Sequence, residues 1–598
     1  MDWQGLADRV REGGPGALLA ALPAEERVRL ERELEDGPPA AGSAPRVELR
    51  DHPEVREGDG RPMQYVVSKT FQNWGRTVTN TPSMTFVPKT KKGLCELVLW
   101  AGRRNLSVRA AGYRHSWSDI FSADGQVVVS MLPPADVEVL PAPEPPIEPE
   151  NELQGIDMVD RVNGLCKIGA ATTNEQFRRW CMETKAGGKW EWTVPFNVLM
   201  VETTWGGSNG PICHGAGSKH PTLSDLVAEI EFVNAKGALQ TVSDPQLLRS
   251  AAGCFGLLGI VTSITIRLAP MSYAKLQPEK RRVALTVPPP AGFQVPSEIN
   301  MSGITEAELE EALARFTNQA ENDYYAEWFW FPYQQEGWAN CWENDGLRAE
   351  AKPYPGEGRA IIEEIEEYFL GLAETYWFKE LPGREQAEIF GALALGGLPT
   401  GPVATTPLIE ALHFQRGIQN FRVVDLELEI PVQPRSDDPS RPDWSICQRA
   451  WWDAITAVYG RSDAPMRVVL EMRVMAGSDT TMAPQHGNLA TCAIEVLTSL
   501  ITPREEWISF MQEIVDLWTS YKGADGKPLN VRPHWAKEWH DVEFNGQPAV
   551  DYLRDVAYAE QIPVLRKDLE SIAAAGGYPV TALAVFGNPL LSELFGIG

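Results

Sequence analysis

Along this chain the spacing of apolar positions switches repeatedly between alternation, about every second residue, and helical spacing, about every 3.6. Such switching predicts short strands mixed with helices. Residues 84–88 (Met-Thr-Phe-Val-Pro) predict a strand, 92–104 an amphipathic helix, 106–110 a strand, and 126–132 (Gln-Val-Val-Val-Ser-Met-Leu) another. A strand at 165–170 and a helix at 174–182 follow, and the apolar runs 226–233 and 259–268 read as buried strands. Residues 133–149, crowded with Pro and Glu, interrupt this region as a surface insertion.

Both flanks differ in texture. Residues 1–68 make an N-terminal extension: 18–34 alternates apolar and charged residues at helical spacing, and 37–45 is rich in Gly, Pro and Ala. A helical cap and a flexible arm are both open there. After Pro270, aromatic residues crowd into 324–342, Glu/Ala-rich helical stretches follow, an apolar strand lies at 466–475, and helical spacing returns from about Pro503. The fold class is α+β, with domains at 69–271 and 272–530 and a C-terminal segment at 531–598. A chain of 598 residues is ample for two cores.

Composition narrows the function classes. Lys and Arg number 54 against 81 Asp and Glu, a formal charge of −27, which argues against nucleic acid or an anionic membrane as partner. No apolar run approaches a membrane span, and the N-terminus lacks the basic–apolar–small order of a signal peptide, so a cytoplasmic protein is expected. The 8 cysteines stand apart without a Cys-x-x-Cys pair and predict neither a disulfide framework nor a zinc site.

Candidate chemistry concentrates in four places. Gly112-Tyr113-Arg114-His115-Ser116-Trp117-Ser118-Asp119 ends a predicted strand. Amides and hydroxyls packed so tightly suit a pyrophosphate, with the imidazole beside whatever it carries, although a histidine in a polar turn can also be purely structural. The glycine-rich loop 205–225 holds Gly206, Gly207, His214, Gly217, Ser218 and His220, and its glycines let backbone approach a ligand closely. Neither Gly215-Ala216-Gly217 nor the Gly253/Gly256/Gly259 repeat has the spacing and setting of a Rossmann fingerprint, so that fold is rejected. Cys213, His214 and His220 lack a fourth ligand at sensible spacing, and no metal is expected. On the strand 468–475, Glu471 and Arg473 share one face among apolar neighbours, which points both charges into a cavity. Finally, Arg532-Pro533-His534-Trp535-Ala536-Lys537 clusters two cations, an imidazole and an indole, an arrangement also compatible with a surface loop.

In order along the chain, these motifs resemble those of the aldonolactone and alditol oxidase branch of the vanillyl-alcohol oxidase flavoprotein family. The family's flavin turn, Gly-x-Gly-His-Ser-x-Ser-Asp, is similar to residues 112–119, and its glycine-rich loop with an internal histidine resembles 206–220. Its Trp-x-Pro-aromatic strand is echoed by Trp328-Phe329-Trp330-Phe331-Pro332-Tyr333, its Glu-x-Arg strand by Glu471 and Arg473, and its terminal signature by 532–537 residue for residue. The resemblance implies a two-subdomain PCMH-type FAD-binding domain, then an α+β substrate (cap) domain with an antiparallel sheet, and a helical C-terminal segment that completes the active site and the FAD domain.

It further implies FAD carried covalently by His115, with Gly112, Tyr113, Arg114, Ser116, Ser118, Asp119, Gly206, Gly207, His214, Gly217, Ser218, His220 and Ile260 around it. Catalysis would fall to Glu471, Arg473, Lys537, His534 and Glu495, the last standing where alditol oxidases have a histidine. Two departures stand out: Arg114 replaces the second glycine of the flavin turn, and Ala171 stands where relatives often have glycine, bulk that would hinder oxygen.

The implied reaction is oxidation of a CH–OH group of a sugar lactone or polyol by hydride transfer to flavin N5, with O2 giving H2O2. Arg473 and Lys537 would stabilise developing negative charge, Glu471 would bind a hydroxyl or act as base, and His534 would position Lys537. Three alternatives stay open. One is a bulkier alcohol, sterol-like or oligosaccharide, with the aromatics of 324–342 as pocket wall instead of core. Another is a dehydrogenase using an acceptor other than oxygen, and the third a flavin-bearing binding or electron-transfer module without turnover.

Overall fold

The computed structural model describes residues 48–67, 69–186, 189–355, 379–416 and 421–597, and three larger β-sheets organise them. The first comprises β1 (Arg50–Arg56), β2 (Pro62–Val67), β3 (Met84–Val87), β4 (Val108–Ala111) and β5 (Val127–Ser130), in the order β1-β2-β3-β5-β4. Helix α1 (Lys91–Gly102) joins β3 to β4, and both run parallel to β5. Val127, Val128 and Val129 are all buried, as a central parallel strand covered on both faces requires. Thr90 starts α1 by accepting from the Gly93 amide at 3.0 Å.

The boundary at residue 68 needs correction. β1 and β2 are integral to this sheet, because β2 pairs with β3 and sends Met63 into the core. The stretch 48–67 reads as polar because charged residues fill the exposed positions of both strands. The readings of 18–34 and 37–45 lie outside the described residues.

The second sheet is antiparallel: β6 (Ile156–Asp160), β7 (Leu165–Gly169), β8 (Val227–Val233), β9 (Leu239–Val242) and β10 (Ile260–Arg267), in the order β9-β8-β10-β7-β6. Helix α2 (Asn174–Glu183) follows β7 behind a reciprocal Thr173/Gln176 capping box. α3 (Pro245–Ala251) precedes β10.

The third sheet forms the cap. It holds β11 (Glu279–Arg282), β12 (Tyr325–Trp330), β13 (Glu336–Trp342), β14 (Val423–Val432), β15 (Val469–Ala476), β16 (Ala490–Ser499) and β17 (Arg532–Pro533). All pairings are antiparallel, in the order β11-β13-β12-β15-β16-β14-β17. Strand alternation sorts its two faces. Trp328, Trp330, Leu470, Met472, Ile494, Val496, Leu426 and Leu428 lie on the face packed by helices α4 (Glu306–Asn322), α5 (Ser445–Tyr459) and α6 (Arg504–Thr519). The aromatic crowd is divided between the faces: Trp328, Trp330, Trp338 and Trp342 are all fully buried, the first two on this face and the last two on the opposite one. The opposite face also carries the charged residues.

The chain then returns to the first domain through α7 (Gln561–Ala575) and α8 (Pro589–Phe595). Gln240 donates to the Ile572 carbonyl at 2.8 Å, and Phe595 stacks on Phe255 at 5.3 Å. No single helix among the described residues is long and apolar enough to cross a membrane.

Candidate active site

Where the first two sheets meet, a cleft encloses about 1290 Å³ of atom-free space, part of it open to solvent. β4 ends at Ala111, and the chain turns across the cleft. Gly112 is needed there, since an added Cβ would lie 2.2 Å from Thr204 Oγ1.

Arg114 sits at φ +63°, the left-handed region that costs a non-glycine residue about 1–2 kcal/mol. The position the family fills with glycine thus keeps glycine's backbone while carrying a buried guanidinium. That guanidinium stacks over Phe71 at 4.8 Å, and the Arg114 carbonyl accepts from the Trp74 amide at 2.7 Å. Two indoles orient the His115 imidazole: Trp74 stacks on it at 4.4 Å and Trp117 meets it edge-on at 4.9 Å.

Gly112, Tyr113, Arg114, His115, Ser116, Gly206, Gly207, His534 and Lys537 line the cleft. Ser118, Asp119, His214, Gly217, Ser218, His220 and Ile260 do not. Ser118 Oγ donates to the Trp535 carbonyl, and the Asp119 carbonyl accepts from Asn588 at 2.8 Å. Gly217 donates to Val474 at 2.8 Å, Ser218 donates to the Glu321 carbonyl at 3.2 Å, and His220 packs against Phe196 and Tyr324. These three tie the glycine-rich loop to the cap. Ile260 points into the core between Gly259 and Val261, which do line the cleft.

Sequence reasoning missed the Gly253/Gly256/Gly259 repeat, which also lines the cleft. All three take positive φ, but Gly253 and Gly259 are needed by the protein's own packing, since an added Cβ would lie 2.4 Å from Ile212 and 2.2 Å from the Val233 carbonyl. A Cβ on Gly256 would meet nothing nearer than Arg109 Nη2 at 3.7 Å, so it would project into the cleft. Likewise Ala170, not Ala171, borders the cleft; Ala171 is buried behind it, donating to Leu153 at 2.9 Å. Backbone amides, small residues and the imidazoles of His115 and His534 lining one cleft fit a flavin dinucleotide.

Beside the cleft stands the charged face of the cap sheet. Register aligns Glu327 with Arg473, and Glu471 with Glu495 and then Glu427. Arg473 donates to Glu327 at 2.7 Å and to Glu495 at 3.1 Å, and also contacts Glu471. Glu495 bridges onward to Lys537, which reaches Asp425 as well and lies 3.4 Å from Glu427. Burial would depress Arg473 and Lys537, but the surrounding carboxylates hold both cations protonated well above their usual range.

Burial pushes Asp425, Glu429 and Glu327 up. Glu427, despite burial, is held well below the carboxylate range by Lys537 and His214. His534 is pushed down to about 3 by burial and is neutral; its carbonyl accepts from the Lys537 amide at 3.0 Å and shapes the turn.

Glu327, Asp425, Glu427 and Glu429 were not anticipated. The signal lay in Val-Val-Asp-Leu-Glu-Leu-Glu-Ile, which puts three acids on one strand face by the alternation that singled out Glu471 and Arg473.

A two-sheet cleft of this kind joined to an antiparallel cap is the fold of PCMH-type flavoproteins, and in sequence and fold the chain is similar to members of the vanillyl-alcohol oxidase flavoprotein family. Its sequence relatives include aldonolactone oxidoreductases. Over 478 residues it is 22% identical to an L-gulono-1,4-lactone dehydrogenase of Mycobacterium tuberculosis, covering 80% of this chain and 91% of the relative. It is 26% identical over 203 residues to the L-gulonolactone oxidase of Bos taurus, 33% of this chain and 40% of that one. Among solved structures, cholesterol oxidase from B. sterolicum superposes with a TM-score of 0.63 at 16% identity, covering 92% of this chain and 99% of that chain. Xylooligosaccharide oxidase from Myceliophthora thermophila C1 gives 0.51 at 12%, covering 87% and 93%. No protein-family model matches the chain.

Proposed function

We propose that this protein is an FAD-dependent oxidase of a CH–OH group in a sugar lactone or polyol, that O2 is its electron acceptor with H2O2 as product, and that His115 carries the FAD covalently. One observation carries the reading: the cationic end of the charged cap face is bonded directly to the turn that bears His115. The Trp117 amide donates to the Ala536 carbonyl at 2.7 Å, and Lys537 Nζ lies over the Trp117 ring at 5.1 Å. Imidazole, cations and carboxylates therefore share one rigid junction.

The turn at 112–116 and the glycines at 206, 207 and 256 would hold the dinucleotide, with the His115 ring aimed between its two indoles. Bound FAD supplies a two-electron acceptor for the substrate C–H bond. Lys537 and Arg473, held cationic, stabilise the oxygen as its proton leaves. Glu471 accepts a hydrogen bond from the neighbouring hydroxyl or takes that proton. Glu495 keeps the two cations at a fixed separation, and His534 shapes the turn.

Trp328 and Trp330 pack into the helix-covered cap core, whereas Trp338 and Trp342 are buried on the face that carries Glu327, Glu471 and Arg473, so that part of the aromatic stretch still favours a bulkier alcohol as a second reading. The dehydrogenase reading keeps one support, the name of the mycobacterial relative.

Acid precipitation of the purified protein tests the assignment. Yellow colour and flavin fluorescence should stay in the pellet and move to the supernatant in His115→Ala. Release from the wild type would leave non-covalent FAD, and absence of flavin from folded protein would refute the reading. Peroxide yield against reduction of an artificial dye, across lactones and polyols, then separates oxidase from dehydrogenase.

A further inference from the structure

His214 belongs to the glycine-rich loop of the first domain yet reaches the charged face of the cap. Its Nδ1 faces the Gly215 carbonyl at 2.9 Å, and its Nε2 faces Glu427 Oε1 and Glu429 Oε1, each at 3.1 Å. Glu427 also faces Lys537 at 3.4 Å and Arg473 at 3.9 Å, groups that only donate, so it is the carboxylate that holds the charge. With acceptors at both nitrogens, the imidazole needs two protons. His534 is the reverse case. Its ring meets His214 edge-on at 5.1 Å, but its Nδ1 accepts from the Ala536 amide at 3.2 Å and carries no proton.

We propose that His214 is a positioning residue: a doubly protonated imidazolium that latches the first domain to the cap sheet and keeps Glu427 ionised. Through Glu427 it sets where Lys537 and Arg473 stand. Its kinetic consequence rests on the proposed oxidase reading; its charge state does not. Among the described residues, six carboxyl groups share this face (Glu327, Asp425, Glu427, Glu429, Glu471 and Glu495), and without His214 the cations paired with them are Arg473 and Lys537. Buried charges persist only when paired.

The charged and titratable groups around the imidazole are Glu427 and Glu429 on β14, His534 and Lys537 on the terminal turn, and Arg473 on β15. Burial alone would lower the imidazole, but the two glutamates raise it to about 10. A folded value above the free imidazole value of about 6.5 makes this contribution full below about pH 6.5 and lost as pH rises through about 10.

The test compares full-length wild type with His214→Gln and His214→Lys. The melting-temperature gap between wild type and the Gln variant should be widest near pH 6 and close as pH passes about 10. A gap independent of pH overturns the imidazolium, and so does a Gln variant that folds while the Lys variant does not. In kcat/KM against pH, the Gln variant should gain an acid-side ionisation as Glu427 takes a proton, with a loss of about tenfold or more below it, and Lys should restore the wild-type profile. An unchanged profile overturns the positioning role.

Flavin lost from the Gln variant without a new ionisation would make His214 a cofactor ligand instead. A stoichiometric metal in the wild type, absent from the Gln variant, would make it a metal ligand with Glu427 and His534, whose donor atoms lie within 4.8 Å of one another. A wild type without flavin would sink the proposed function and leave the melting-temperature test standing.

Discussion

Arg473 is the residue on which the charged face converges, contacting Glu327, Glu471 and Glu495. Arg473→Ala should slow flavin bleaching by substrate about 10²–10³-fold while flavin stays bound, because one oriented donor to developing charge is worth that much. Stopped-flow absorbance checks it, and normal turnover would remove Arg473 from the active site. Arg114 makes a second prediction at this scale. If the turn needs its left-handed backbone, Arg114→Gly should retain flavin at wild-type level, whereas Arg114→Val should lose it, since a β-branched residue at positive φ is a steric outlier. His115 and Arg114 were legible in sequence because a motif is local. The conformation of Arg114 was not, since nothing in the residue type announces a positive φ.

At the scale of elements, strand alternation was the most transferable signal. Most first-domain strands and helices begin and end within a few residues of where apolar periodicity places them, for instance β10 at Ile260–Arg267 against 259–268. The same alternation left Asp425, Glu427 and Glu429 unread on β14, because their role depends on the neighbours that register supplies. These three predict an ordering. Asp425 is pushed toward its neutral form and Glu427 is held ionised, so Asp425→Asn should cost less stability than Glu427→Gln. Breaking a buried ion pair costs about 3–5 kcal/mol, and denaturant unfolding at neutral pH measures the difference. Equal losses would contradict the charge assignment.

For the molecule as a whole, the C-terminal segment is the brace of the cleft. The buried Arg109 guanidinium donates to the carbonyls of Ile120, Phe255 and Phe586, and Asn588 donates to Asp119 and Phe121 at 2.8 and 2.7 Å. Deleting residues 579–598 should therefore strip flavin and lower the melting temperature sharply; a truncated chain that stays yellow would show the brace to be dispensable. By itself the sequence determined what is written locally: the periods that make strands and helices, the turn around His115, the Glu-x-Arg strand and the terminal signature. Only the tertiary structure decided which of these meet. His214 finds Glu427 across 213 positions and Arg473 finds Glu327 across 146, and the buried charges that result set one another's protonation. Backbone preference acts over a few residues, whereas Coulomb attraction in a dry interior acts between any groups that sheet register and chain topology bring together.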